Sequence, residues 1–237
     1  MSKKIVLAGA CRTAIGKMGG ALVNVETPEL ATVVVKEAMK RAGIAPEAVD
    51  EVILGCVFQA GIGQNLARQA AVHAGIPVET PAFTLNNLCG SGLKSVNVAA
   101  ALIAAGEADV IIAGGAESMS NAPYLLKKAR FGYRMNNGEL LDSMIHDGLE
   151  DSFYHYHMGI TAENIAEKYG ITRTMQDEFA ANSQQKAQKA IAEGKFKDEI
   201  VPIEVKQKKN TIIFDADEAP RANVTVESLA ALRPAFK

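Results

Sequence analysis

Apolar runs of strand length alternate with helix-length segments through the first half of the chain. Ile5–Ala8, Glu51–Phe58, Ala82–Leu85 and Ala108–Gly115 are such runs, apolar enough to predict strands covered on both faces, with Ile5–Ala8 as a central strand. Between the first two, Thr27-Pro28-Glu29 opens a helix with a cap, a proline and an early acid in order, and Gly43 closes it. Its Leu30, Val33, Val34 and Met39 form a buried side, and Lys36, Glu37, Lys40 and Arg41 a solvated one. Gln64 to His73 reads as a second helix with Leu66, Ala67, Ala70 and Ala71 inward. Leu93, Val96, Val98, Ala99, Leu102 and Ile103 predict a third, largely buried helix that stops at Gly106. Strand and helix in alternation predict an α/β layer of parallel strands, and such sheets hold ligands beyond the carboxyl ends of their strands.

The pattern changes at Ser120. Residues 121–237 are richer in Lys, Glu, Gln and Asp, show no buried parallel strand, and read as an insertion over the active-site end. A helix is predicted from Thr161 to Gly170, and an amphipathic one from about Thr174 to Glu193 with Phe179, Ala180, Ser183, Ala187 and Ile191 inward. Ile200–Val205 and Thr211–Asp215, joined across Lys206–Asn210, predict a hairpin. The expected division is therefore a core over residues 1–120 and a loop domain over residues 121–237.

Composition narrows the function classes. With 237 residues, 48% hydrophobic and 22% charged, the chain is an ordinary globular sequence. A net charge of −2 argues against a general nucleic-acid binder. Met1-Ser2-Lys3-Lys4 runs straight into Ile5, too short for a secretory signal core, and no spanning segment follows, so no membrane role and a cytoplasmic location are expected. The Gly-rich stretch through Gly19-Gly20 lacks the spacing of a phosphate or dinucleotide cradle. Cys11, Cys56 and Cys89 cannot all pair and have no metal-site spacing, while His155 and His157 offer only two alternating ligands, so no metal is expected.

The chemistry points to Cys89. It lies in Asn86-Asn87-Leu88-Cys89-Gly90-Ser91-Gly92, between a strand and a helix rich in small residues. A helix start has backbone N–H groups without partners and a partial positive charge, which favours thiolate over thiol. The glycines leave the sulfur uncrowded and let a substrate carbonyl approach backbone donors. A lone cysteine is more often a packing residue, and Cys11 and Cys56 are read so.

Asn-x-x-Cys-Gly-Ser-Gly resembles the nucleophile motif of the thiolases, enzymes that make or cleave 3-ketoacyl-CoA. The resemblance runs along the whole chain, through Arg12-Thr13-Ala14-Ile15-Gly16-Lys17, Gly63-Gln64-Asn65-x-Ala67-Arg68-Gln69, Gly114-Gly115-Ala116-Glu117-Ser118-Met119-Ser120, His157–Asn164 and Leu232–Phe236. It is closest to the bacterial biosynthetic members. It implies an α/β thiolase-like layered fold, present as an incomplete N-terminal α/β half with an inserted α+β loop domain for CoA binding and subunit contacts, and with the C-terminal thiolase domain absent.

The implied activity condenses two acetyl-CoA to acetoacetyl-CoA and CoA through an acetyl-cysteine on Cys89. CoA thioesters are then substrates, and no cofactor is required. The family's substrate-binding positions fall on Leu149, His157 and Met158 along the acyl and pantetheine end, Arg221 and Ser228 near the adenine, and Phe236 at the pantetheine. Partners implied are acetyl-CoA, acetoacetyl-CoA and CoA, with either a homo-oligomer, a tetramer in the family, or a complementary C-terminal half. The family's acid/base groups stand in Gly-His-Pro and Cys-x-Gly-Gly-Gly. None of His73, His146, His155 and His157 precedes a proline, and neither Cys11 nor Cys56 precedes three glycines. The 237 residues alone are therefore expected to be inactive. Two rivals stay open: a degradative 3-ketoacyl-CoA thiolase, against which Met158 leans toward short acyl chains, and a non-catalytic CoA-binding or split-enzyme half.

Overall fold

The computed structural model describes residues 4–207 and 210–237. They form two compact units, one of Met1–Gly148 and Glu199–Ala216, the other of Leu149–Asp198 and Asp217–Lys237. Residue 120, where a domain border was expected, lies within the first unit.

In chain order the first unit begins with β1 (Arg12–Thr13), α1 (Thr27–Ala42), β2 (Glu51–Gly55), α2 (Leu66–His73), β3 (Ala82–Leu85), α3 (Ser91–Ala105) and β4 (Ile111–Gly115). β2, β3 and β4 form a parallel sheet in the order β3-β2-β4, with Val52 beside Ala82 and Gly55 beside Gly115. Side chains alternate across a strand, so the faces of β2 can be assigned from their contacts. Val52, Leu54 and Cys56 join Ala31, Val35 and Met39 of α1 and Leu66, Ala67, Ala70 and Ala71 of α2 in one core. Gly55 falls on the other face, against α3. At the end of α1, Gly43 takes a left-handed conformation and its N–H caps Lys40 O and Met39 O.

Two expectations fail here. Ile5–Ala8 joins no ladder, and Val6 and Leu7 are 68% and 82% exposed. Val6–Thr13 and Ile111–Glu117 both line a cavity of about 430 Å³. Helix α3 is covered on one stripe only, with Ser91, Ser95 and Ala99 buried and Leu93 70% exposed. Its apolar composition extends round the helix.

The first unit continues with β5 (Tyr124–Leu125), β6 (Leu141–Asp142) and α4 (Ser143–Gly148). β5 and β6 pair antiparallel, and the loop between them exposes Phe131 and Met135. After the first two helices of the second unit the chain returns here as β7 (Ile200–Val201), β8 (Ile203–Lys206) and β9 (Thr211–Phe214). β8 and β9 form the expected hairpin; Lys208 and Lys209 of its turn lie outside the described residues. The expectation of no buried parallel strand after residue 120 is corrected by β7, which runs parallel to β1 with Val201 buried. Pro202, having no N–H, separates the two pairings, and Arg12 fixes the first through a 2.6 Å ion pair with Glu199. Ile203, Val205 and Phe214 complete a second core with Ala14, Val25 and Leu30.

The second unit contains α5 (Met158–Tyr169), α6 (Arg173–Ala192) and α7 (Val226–Ala230). α5 starts three residues before the expected Thr161, because the ring of His157 caps it. The buried line of α6 is also rotated from expectation. Asp177 and Ala181 are buried while Phe179 is 78% exposed. Arg173 causes the rotation: its Nε holds both oxygens of Asp177 at 2.9 Å, and its Nη2 donates to Leu229 O at 2.7 Å and Leu232 O at 2.9 Å. Bonded to the end of α7, this pair turns the polar side of α6 inward.

Candidate active site

In the first unit, β3 leads directly into the turn that carries Cys89. Leu88 holds φ +50°, a conformation unfavourable for a branched side chain, and its N–H donates to Asn86 Oδ1 at 2.9 Å. Gly90 N–H closes the turn onto Asn87 O at 3.2 Å, and Ser91 N–H onto Leu88 O at 2.9 Å. Cys89 is left exposed as a free thiol immediately before α3.

Three glycines let α3 sit directly on the sheet beneath this turn. A β-carbon at Gly55 would meet the carbonyl carbon of Ser91, with Ser91 Cβ at 2.6 Å and Gly92 N at 2.7 Å. One at Gly115 would come within 3.3 Å of Gly92 Cα. Ser95 completes the seat, its hydroxyl lying 2.6 Å from Gly92 O and 2.7 Å from Gly114 O. Gly55→Ala should therefore destabilise the fold by roughly 1–3 kcal/mol, as overpacking does. Urea unfolding measures this, and an unchanged midpoint would mean that α3 does not depend on the close approach.

The Gly63–Gln69 motif is used in fixing β3. Asn65, at φ +47°, caps α2 by accepting from Arg68 N–H at 3.1 Å, donates to Ala82 O at 2.8 Å, and accepts from the Thr84 hydroxyl at 3.0 Å. Arg68 holds Thr80 O and Val78 O, and Gln69 holds Ile62 O and Gln64 O. These residues position the strand that presents Cys89. Sequence reasoning recognised the motif without this role; Asn at a helix start with Arg three residues on was the available sign.

Glu117 was likewise known only as part of a motif. Its carboxylate accepts from Val57 N–H at 2.8 Å and Phe58 N–H at 3.0 Å, and lies 3.4 Å from Cys56 Sγ. Burial first, and then this negative neighbour, push the Cys56 thiol up to about 12. Burial also raises Cys11, whose S–H faces Val34 O at 3.4 Å. Cys56 is a core residue, as expected, and Cys11 is half-buried beside α1.

The six binding positions fall in the second unit. Four of them come together around one turn. His157 Nδ1 accepts from Gly159 N–H at 2.9 Å, leaving Nε2 as the ring's other polar atom, and the ring stacks on Phe236 with centroids 5.0 Å apart. Phe236 also fills the space a side chain at Gly159 would need. Leu149 O accepts from Met158 N–H at 2.7 Å, which ties Leu149 to the same turn. Arg221 and Ser228 belong to a separate stretch. Arg221 is exposed; its backbone N–H donates to Gln184 Oε1, and its guanidinium has no hydrogen bond or ion pair among the described residues. The Ser228 hydroxyl is already engaged in a capping box with Thr225.

Among the described residues no group of three or more His, Cys, Asp or Glu could hold a metal ion.

Comparison with known proteins identifies the relatives of this arrangement. The family model "Thiolase, N-terminal domain" matches residues 5–237. An acetyl-CoA acetyltransferase of Syntrophomonas wolfei is 56% identical over all of this chain and 60% of its own length. One of Pseudomonas aeruginosa is 56% identical over 98% of this chain and 60% of its own length. The crystal structure of the Bacillus anthracis acetyl-CoA acetyltransferase superposes with a TM-score of 0.96 at 46% identity, covering the whole of this chain and 60% of that one. The chain thus spans about three fifths of the length of these relatives.

Proposed function

The chain belongs to the thiolase family, and on that premise we propose that it carries the nucleophile and the CoA-binding elements of an acetyl-CoA C-acetyltransferase. The observation that carries this reading is the placement of Cys89: an exposed thiol in a strained turn at the start of a 15-residue helix. Its sulfur attacks the carbonyl carbon of acetyl-CoA, the bond to the CoA sulfur breaks, and CoA leaves with a proton. A base then takes a proton from the methyl carbon of a second acetyl-CoA. The resulting enolate attacks the acetyl-cysteine, giving acetoacetyl-CoA and returning the Cys89 thiolate. Backbone N–H groups at the start of α3 are suited to hold the oxyanion of the first step.

The direct experiment is incubation with acetyl-CoA followed by peptide mass spectrometry. One acetyl group is expected on Cys89, and none after Cys89→Ala. Acetyl incorporation that persists in Cys89→Ala would remove the residue from the mechanism.

The turn shared by Leu149, His157, Met158 and Phe236 suits the pantetheine and acyl end of the substrate. Arg221 offers an exposed planar cation for stacking on the adenine. Its replacement by Ala should weaken CoA binding by roughly 1–3 kcal/mol, the usual worth of one base stack. Calorimetry reads this, and unchanged affinity in a folded Arg221→Ala protein excludes it. Three free thiols accord with a reducing, cytoplasmic setting. The exposed Phe131 and Met135 suit subunit contacts in an oligomer.

A further inference from the structure

Ser91 is 4% exposed, and its hydroxyl has two partners, both in the turn that bears Cys89. It accepts from Asn87 N–H at 2.8 Å and donates to Leu88 O at 2.6 Å. The two bonds use its donor and one acceptor site, so the hydroxyl's orientation is determined. They bracket Leu88, the residue at φ +50° that is unfavourable for its side chain. The other side of Ser91 is pressed against Gly55, where no β-carbon fits. Ser91 therefore cannot yield toward the sheet, and the turn is held against a fixed support.

We propose that Ser91 is a positioning residue for Cys89: its hydroxyl bridges Asn87 N–H and Leu88 O, holds Leu88 in the left-handed conformation, and so keeps the thiol aligned with the start of α3. This rests on Cys89 being the nucleophile. Cys89 is already exposed, so loosening the turn gains it no access. It loses the alignment with the helix N–H groups instead.

Ser95 supplies the control. It is also a fully buried serine of α3 with its hydroxyl on two carbonyls, but those belong to Gly92 and to Gly114 of the sheet, not to the turn. Ser91→Ala and Ser95→Ala should both lower stability, yet only the first should change the chemistry of Cys89.

The test measures iodoacetamide labelling of each cysteine in the folded 237-residue chain by peptide mass spectrometry, together with amide exchange at Asn87. In Ser91→Ala, the Cys89 rate at pH 7 should fall about two- to fivefold relative to Cys11, the range expected when a helix-terminus interaction is lost. Protection of the Asn87 amide should disappear while that of Ile53 persists. Ser95→Ala should leave both readings as in the parent chain. A double variant, Leu88→Gly/Ser91→Ala, should recover at least half of the lost rate, because glycine takes φ +50° without the clash. It also serves if the single variant does not fold.

Unchanged Cys89 labelling in folded Ser91→Ala, or equal loss in Ser95→Ala, would reduce Ser91 to an ordinary buried serine. Asn87 protection that survives in Ser91→Ala would show that the bridge is not what holds the turn. If Cys89 is not the fastest thiol in the parent chain, the nucleophile reading itself falls, and the positioning role with it.

Discussion

At pH 7, iodoacetamide should label Cys89 at least about 10³-fold faster than Cys56 in the folded chain. The gap is set mainly by Cys56. Its thiol is fully buried and pushed up to about 12, so only about one molecule in 10⁵ carries a thiolate at neutral pH, roughly three powers of ten below an ordinary free thiol. Cys11 should fall between, because it is half-buried, raised by desolvation and faces the carbonyl of Val34. Raising the pH should narrow the difference, since Cys56 ionises only as the pH approaches about 12. Peptide mapping after brief labelling gives the order. Cys11 or Cys56 labelling first in folded protein would deprive the nucleophile assignment of its physical support.

The second large effect concerns turnover. The 237 residues expressed alone should accept an acetyl group on Cys89 but form no acetoacetyl-CoA beyond background. Removing a proton from the methyl carbon of acetyl-CoA needs a positioned base, a contribution of about 10²–10⁴-fold by itself, and nucleophile and base act as a unit. None of the four histidines stands in Gly-His-Pro, and no cysteine stands in Cys-x-Gly-Gly-Gly. Adding a separately expressed segment of a full-length relative that carries both motifs should restore turnover. A coupled assay with and without that segment measures it. Turnover by the 237 residues alone, lost in Cys89→Ala, would show that they already contain a base, with His157 the first to test.

Much of the first unit was legible in the sequence because its elements are fixed locally. Gly43 and Gly106 end their helices in left-handed conformations, and the inward stripe of Leu66, Ala67, Ala70 and Ala71 is buried as the periodicity predicts. What was not legible depends on partners distant in sequence. Ile5–Ala8 has the composition of a central strand, but composition does not say which edge lies within reach. The apolar residues of α3 predict a largely buried helix, whereas the sheet covers only the stripe that passes over Gly55 and Gly115. In α6, helical periodicity placed Phe179 inward, but the Arg173–Asp177 pair, bonded to the end of α7, turned it out. The candidate site was found through its cysteine motif. Ser91, which braces its turn, acts through backbone partners that no spacing in the sequence identifies, whereas Asn65 showed there only as a helix start and not as the support of β3.

The central claim is that Cys89 takes the acetyl group from a CoA thioester, and a protection experiment tests it most directly. The chain is incubated with acetyl-CoA, freed of excess, exposed briefly to iodoacetamide, and mapped by peptide before and after hydroxylamine. Cys89 should be protected, Cys11 should label as before, and hydroxylamine, which cleaves thioesters, should restore labelling of Cys89. Cys89 labelling at its original rate after acetyl-CoA treatment would contradict the claim.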